Sequence, residues 1–290
     1  MTTIPVVQSA KGLFTPIKGC KASAKLADGG YFDVTVQSLN VRTGMARIVD
    51  EDGIEYDIRT SKLERPLLAN VNERFEYFRQ LTDLTMDGKL YSLIASGEGG
   101  IGKSHMIGEM LELKDLKEET HFLHIKGFST AKALYNLLKD HSEKLVIFDD
   151  CDNILTDPIG QNILKAVLDT SKSRRVRWLT NLEESSFVFT GSAIFLTNKN
   201  KDKIPQALIS RSLVVDLYMT PEEKIERMRY LVPTLDAGAT LTVEEKNAVL
   251  DVIDKYKDTI HDLNVRTVVK ALLVYENTKD IDIVRYQVLQ

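Results

Sequence analysis

Cysteine is scarce in this sequence: 290 residues hold two, Cys20 and Cys151. Two thiols cannot build a disulfide framework, and neither stands at metal-ligand spacing from another ligand-type residue. Long apolar runs are missing as well. Nothing approaches the ~18 consecutive apolar residues of a membrane span, so no membrane association is expected. The opening stretch, MTTIPVVQSAKGLFTPIKGC, has no basic start followed by an apolar core, so no secretory signal is expected either. These absences together point to a reducing cytoplasm. Neither charge dominates, with 38 Lys and Arg against 42 Asp and Glu and a formal net charge of −4. A protein that coats DNA is normally basic, so any nucleic-acid contact has to come from a local patch. The five histidines, His121 and His124 among them, have no ligand spacing to cysteine or acid and are expected to be structural or exposed. No internal repeat or low-complexity tract is visible.

What is present has three textures. Residues 1–19 read as an extended arm without periodicity. Residues 20–66 read as short strands (KASAKLA, YFDVTVQS, MARIVD, IEYDIRT) separated by turn signals at Asp28-Gly29-Gly30, Asn40 to Gly44 and Asp52-Gly53. A small β-barrel-like domain or curled sheet of SH3-like size is the natural outcome, and both a packing role and a partner-binding role are open to it. From about residue 67 strands alternate with helices. Phe75, Phe78, Leu81 and Leu84 recur at helical spacing. The apolar runs at 90–96, 121–125, 144–149 and 193–198 read as strands buried on both faces of a parallel sheet. Helices are expected between them at 103–113, 129–141 and 158–170, which makes residues 67–218 an α/β domain. Residues 219–290 read as wholly helical, with helices at 221–232, 243–258 and 264–276. The first of these starts with Thr220 as N-cap and Pro221 in its first turn.

The strongest chemical signal is GEGGIGKS: Gly97, Glu98, Gly99, Gly100, Ile101, Gly102, Lys103 and Ser104. It fits G-x-x-x-x-G-K-[ST] at every fixed position, with a strand before it and a helix after it. Gly99, Gly100 and Gly102 would let the backbone curl so that its N–H groups point at phosphate oxygens. Lys103 would reach the β- and γ-phosphates, Ser104 would hold Mg²⁺, and the helix N-terminus adds positive potential. ATP and Mg²⁺ are therefore the expected ligands.

The second signal is LVIFDD, residues 145–150: a buried strand, expected directly beside the first, with carboxylates at its carboxyl edge, where ligands bind in open parallel sheets. Asp149 is placed to coordinate Mg²⁺, and Asp150 to orient and polarise an attacking water. A strand ending in a solvated acidic turn is the other reading of DDCD.

With these motifs in this order, residues 70–280 resemble the AAA+ ATPases. The resemblance implies an α/β fold: a P-loop parallel sheet with flanking helices, followed by a small all-α lid. FLTN, ending at Asn198, is similar to the sensor-1 strand of that family, and Asn198 would share the water or γ-phosphate with Asp150. IPQALISR, ending at Arg211, is similar to the segment that carries an arginine finger into a neighbouring subunit. LNVRTVVKAL resembles the sensor-2 helix, with Arg266 contacting phosphate in its own subunit. A finger in trans implies a homo-oligomeric ring, by default a hexamer.

Between the acidic strand and Asn198, SRRVRWLT and SFVFTG flank an acidic turn and read as a β-hairpin. Such a hairpin resembles those of viral superfamily 3 helicases, ClpX-like unfoldases and MoxR-like proteins. Lys172, Arg174, Arg175 and Arg177 could hold a nucleic-acid backbone in a ring pore, with Trp178 stacking or packing. The alternative is a solvated basic turn paired with Glu183 and Glu184. Lys126-Gly127-Phe128 reads more readily as a strand-to-helix turn with a packed Phe than as a pore loop. The arrangement of β-module, core and short lid resembles bacteriophage ATPases. The expected function is ATP-driven remodelling of, or movement along, nucleic acid, in the host cytoplasm if the protein is phage-encoded. The alternatives are a protein remodeller recruiting clients through the N-terminal β-domain, and an ATP-switched scaffold.

Overall fold

A computed structural model describes residues 7–8, 14–15, 21–25, 31–50, 52–64, 70–127, 130–171, 174–180 and 184–290. The chain divides into two compact units, Met1–Asn70 and Val71–Gln290. The first unit is antiparallel. Strands β1 (Val7–Gln8) and β2 (Phe14–Thr15) pair with each other. A separate five-stranded sheet joins β3 (Lys21–Lys25), β4 (Tyr31–Asn40), β5 (Met45–Val49), β6 (Glu55–Arg59) and β7 (Leu63–Glu64) in the order β6-β5-β4-β3-β7. Its core is the alternate set Ala22, Ala24, Val34, Val36, Ala46, Ile48 and Leu63, as period-2 side-chain direction requires. Among the described residues β6 and β7 share no ladder. The Asp28-Gly29-Gly30 turn lies outside the described residues.

The second unit begins with α1 (Val71–Met86) and alternates through β8 (Ser92–Ser96), α2 (Lys103–Leu113), β9 (Phe122–Lys126), α3 (Ala131–Asp140), β10 (Leu145–Asp149) and α4 (Pro158–Val167). A hairpin of β11 (Arg174–Leu179) and β12 (Glu184–Phe189) follows. The chain then re-enters the sheet as β13 (Ser192–Thr197), forms the short α5 (Gln206–Ile209) and closes with β14 (Leu213–Asp216). The five-stranded sheet has the order β14-β8-β13-β10-β9 and is parallel throughout.

Both faces of this sheet are covered, which is why its strands are continuously apolar. Alternate residues go to opposite faces. Leu93, Ala95, Ile147, Ile194 and Leu196 pack under α1 and α2, against Phe75, Phe78, Ile107 and Leu111. Ile94, Val146, Phe148, Ala193 and Phe195 face α3, α4, α5 and the hairpin. Phe148 and Phe195 stack on that side with centroids 4.2 Å apart.

One expectation is corrected here. The acidic strand does not lie directly beside the P-loop strand; β13 is inserted between β8 and β10. All these strands are equally apolar, so nothing in their composition specifies their order. The sequence also gives little sign of β14, a four-residue edge strand with only Val215 fully buried.

The helical segment comprises α6 (Pro221–Leu231), α7 (Val243–Lys255), α8 (Val265–Thr278) and α9 (Ile281–Val288), with an apolar core of its own. Thr220 caps α6 in a reciprocal capping box with Glu223, and Thr242 does the same for α7 with Glu245. No helix among the described residues is long and apolar enough to cross a membrane.

Candidate functional site

The carboxyl edge of the parallel sheet gathers most of the residues singled out by the sequence. The loop from Gly97 to Gly102 leaves β8 and turns into α2. Gly100 and Gly102 adopt φ of +75° and +96°, a left-handed conformation that L side chains rarely take. Gly99 is outside that region, so the curl depends on two of the three expected glycines. No side chain caps α2 at Gly102, so its first-turn N–H groups remain available to an anion.

Lys103 is buried at 7% exposure. Its Nζ donates to the carbonyl oxygens of Gly97 (2.6 Å) and Glu98 (2.8 Å) and to Asn198 Oδ1 (3.2 Å). Burial pushes its ammonium pKa down to about 8, against the opposing pull of Asp150, Asp149 and Asp152. Ser104 Oγ donates to Asp149 Oδ1 at 3.0 Å. The two expected metal ligands therefore touch, although they come from α2 and the end of β10. Burial by itself would raise the Asp149 pKa. Hydrogen bonds from His124 and Ser104 outweigh it and hold the carboxyl below its usual range.

The inserted strand explains the rest of the geometry. Asn198 follows β13 and so stands between the lysine side and the carboxylate side. Its Oδ1 accepts from Lys103, while its Nδ2 donates to Asp150 Oδ1 at 2.7 Å. Asp150 is exposed and has φ of +55°, uncommon for a residue other than glycine, Asn or Asp. Asp enters this region more readily than most residues, and neighbouring contacts hold it there. Here Asp150 N donates to Leu196 O at 3.3 Å, and Thr197 Oγ1 donates to Asp152 Oδ1 at 2.5 Å. Asp152 thus ties the acidic loop to β13.

The two arginines are placed differently. Val265 N donates to Gly100 O at 3.1 Å, which seats the first turn of α8 on the cradle, and the Arg266 charge is felt at Lys103. Arg211 is at the opposite edge: its carbonyl accepts from Ser92 Oγ at 3.1 Å, at the amino end of β8. The length of β8, about 16 Å at ~3.3 Å per residue, separates it from its own cradle. Its Nη1 donates to Ala207 O at 2.8 Å.

The hairpin forms with Arg174 opposite Phe189 and Leu179 opposite Glu184. Its alternation corrects the expected basic patch. Arg174 is on the inner face, 2% exposed, donating to Val167 O (3.1 Å) and Gly191 O (2.6 Å) and stacked over Tyr91 and Phe189. It is an anchor and not available to a ligand. Arg175 and Arg177 lie on the outer face and are exposed. Lys172 and Glu183 lie outside the described residues, as does Phe128. Trp178 packs against Tyr135 at 5.5 Å, with Lys132 Nζ 4.7 Å above its ring. Lys139, near the end of α3, donates to Ser185, while Lys132 at its start meets Trp178. Trp178 and Ser185 are cross-strand partners, so α3 meets both strands of the hairpin at one level.

Several residues at this edge had no sequence signal. His124 Nε2 is 3.3 Å from Asp149 Oδ2, so one of the histidines expected to be structural or exposed meets the central acid, 25 residues away in the chain. Tyr218 donates through its hydroxyl to Asn198 O at 2.6 Å, and Lys224 of α6 pairs with Glu98 of the cradle. The Asn264 side chain fills the space where a Cβ on Gly100 would be. All of these are contacts between segments far apart in the chain.

No protein-family model matches the chain. The chain is similar to an uncharacterised 36.7 kDa protein from the nrdC-mobD intergenic region of Enterobacteria phage T4. The two are 30% identical over 196 residues, which take in 61% of this chain and 60% of the phage protein. The chain thus spans about 60% of that relative's length.

Proposed function

We propose that Val71–Gln290 is an ATP-binding and ATP-hydrolysing module of the AAA+ kind, working as a homo-oligomeric ring. One observation carries this reading. Lys103, Ser104, Asp149, Asp150 and Asn198, from three separate segments, form two adjoining hydrogen-bonded sets, Lys103–Asn198–Asp150 and Ser104–Asp149, beside an uncapped helix N-terminus. Phosphoryl transfer needs little covalent chemistry from a protein; it needs positioned charge. The cradle N–H groups and Lys103 meet the phosphates. Asp150, held in place by Asn198, is the acceptor for the proton of the attacking water. Among the described residues no group of three or more His, Cys, Asp or Glu is arranged to hold a metal. Mg²⁺ is commonly held by one or two protein oxygens together with substrate phosphates, and Ser104 and Asp149 would supply those oxygens here. When bound there, the ion would neutralise charge on the phosphates.

Arg266 sits over the cradle of its own chain. Arg211, a strand's length away, serves the site of a neighbour, so each complete site is shared between two copies. The client is nucleic acid, engaged by Arg175 and Arg177 on the outer face of the hairpin. Likeness to a phage protein supports a phage origin; the proposed role there is of replication, recombination or transposition type, in the host cytoplasm. A second reading, a polypeptide client, draws on Leu179, which is 62% exposed on the same face.

The test is Mg²⁺-dependent phosphate release by the full chain, alone and with single-stranded DNA, double-stranded DNA or an unfolded protein. Absence of ATP binding would reject the ATPase reading. Stimulation by DNA that is lost in the Arg175→Ala/Arg177→Ala double variant supports the nucleic-acid client; stimulation by polypeptide alone rejects it.

A further inference from the structure

His124 has no place in the chemistry above, yet it contacts the carboxylate at its centre. We infer that His124 is a positioning residue that orients Asp149 and thereby sets the affinity of the site for a divalent cation. The inference rests on the reading of Ser104 and Asp149 as a Mg²⁺ site.

The geometry is built by strand register. In the parallel pair β9–β10, His124 is opposite Ile147 and Lys126 is opposite Asp149. Side chains two apart in a strand share a face, so His124, Lys126 and Asp149 all project on the side where α2 packs. Asp149 is 6% exposed, and its carboxylate is held at both ends. Oδ1 accepts from Ser104, whereas Oδ2 accepts from His124 Nε2, with Lys126 Nζ at 3.9 Å. An ionised carboxylate can only accept, so Nε2 carries the proton in this contact. The oxygen on the Ser104 side is left for the cation, and the other is committed to β9. A carboxylate bonded on one side only could turn about its Cβ–Cγ axis, and its bound geometry would have to be imposed by the ion. Groups that orient a ligating side chain are typically worth ~10- to 100-fold in metal affinity. His124 also interrupts the otherwise apolar core of β9, where Leu or Ile would serve packing alone.

The experiment uses the full chain and two readouts that do not require turnover. One is the affinity of a fluorescent ADP analogue in EDTA; the other is the Mn²⁺ concentration needed to strengthen its binding. His124→Leu should raise that Mn²⁺ concentration ~10-fold or more and leave binding in EDTA little changed. His124→Gln places an amide N–H near the position of Nε2 and should restore most of the loss. His124→Asn, one methylene shorter, should not, and this pair decides the matter even if His124→Leu fails to fold. A wild-type protein whose ADP binding ignores Mn²⁺ would overturn the metal-site reading itself. A metal-dependent wild type with Leu, Asn and Gln variants all unchanged, or all equally weakened, would overturn the role of His124 alone.

Discussion

Arg174, Arg175 and Arg177 lie within four residues, but their substitution should have opposite consequences. Arg174→Ala removes two charge-assisted hydrogen bonds, to Val167 O and Gly191 O, each worth about 1.5–3 kcal/mol. It also strips the guanidinium from the faces of Tyr91 and Phe189. The loss is partly offset, because burial opposes the Arg174 charge and lowers its pKa. Two buried carbonyls are left without donors, and the net cost is on the order of 3 kcal/mol. For a unit of this size that corresponds to a fall in Tm of roughly 6–12 °C. Arg175→Ala and Arg177→Ala, both exposed, should stay within about 0.5 kcal/mol of wild type. Trp178, the chain's one tryptophan, sits in the same hairpin and reports on it through fluorescence during urea unfolding. Equal midpoints for Arg174→Ala and Arg177→Ala would refute the assignment of Arg174 as the anchor.

Other substitutions test the site. Asp150→Asn suits a φ of +55° and can still accept from Asn198. It should keep its fold and bind ATP, but hydrolyse it ~10²–10⁴-fold more slowly by phosphate release. Arg211→Ala should bind ATP normally and hydrolyse it poorly. Mixing it with Lys103→Ala subunits should recover part of the activity, since some interfaces then join an intact cradle to an intact finger. No recovery would argue against a shared site. Gly100→Ala places a Cβ 2.8 Å from Asn264 Cγ at a φ of +75°. It should cost on the order of 1–3 kcal/mol in urea unfolding and weaken nucleotide binding. A silent variant would mean that α8 is not seated on the cradle.

Much of the fold was legible because its signals are local. Alternating apolar runs and helical periodicity located β8, β9, β10, β13 and all the longer helices before α9. Gly100 and Gly102, Thr220 and Pro221 marked turns and caps through backbone chemistry that depends on few neighbours. Short edge strand β14 and helix α9 escaped, having too few buried residues to show a period. The hairpin was legible as two strands around a turn. Its facing was not, because a run of basic residues looks the same whichever parity is turned inward.

From its sequence alone this protein is determined to have a glycine-rich cradle between a strand and a helix, a buried strand ending in Asp149 and Asp150, and an α/β order around them. Those features are written in consecutive residues. Tertiary structure alone decided which strands are neighbours, and so that Asn198 stands between Lys103 and Asp150. It also decided that His124 reaches Asp149, that Arg174 is withdrawn into the core, and that Arg211 lies an entire strand away from its own cradle. Strand order and facing are set by the packing of helices on both sheet faces. Apolar strands of similar length and composition carry no local mark of either.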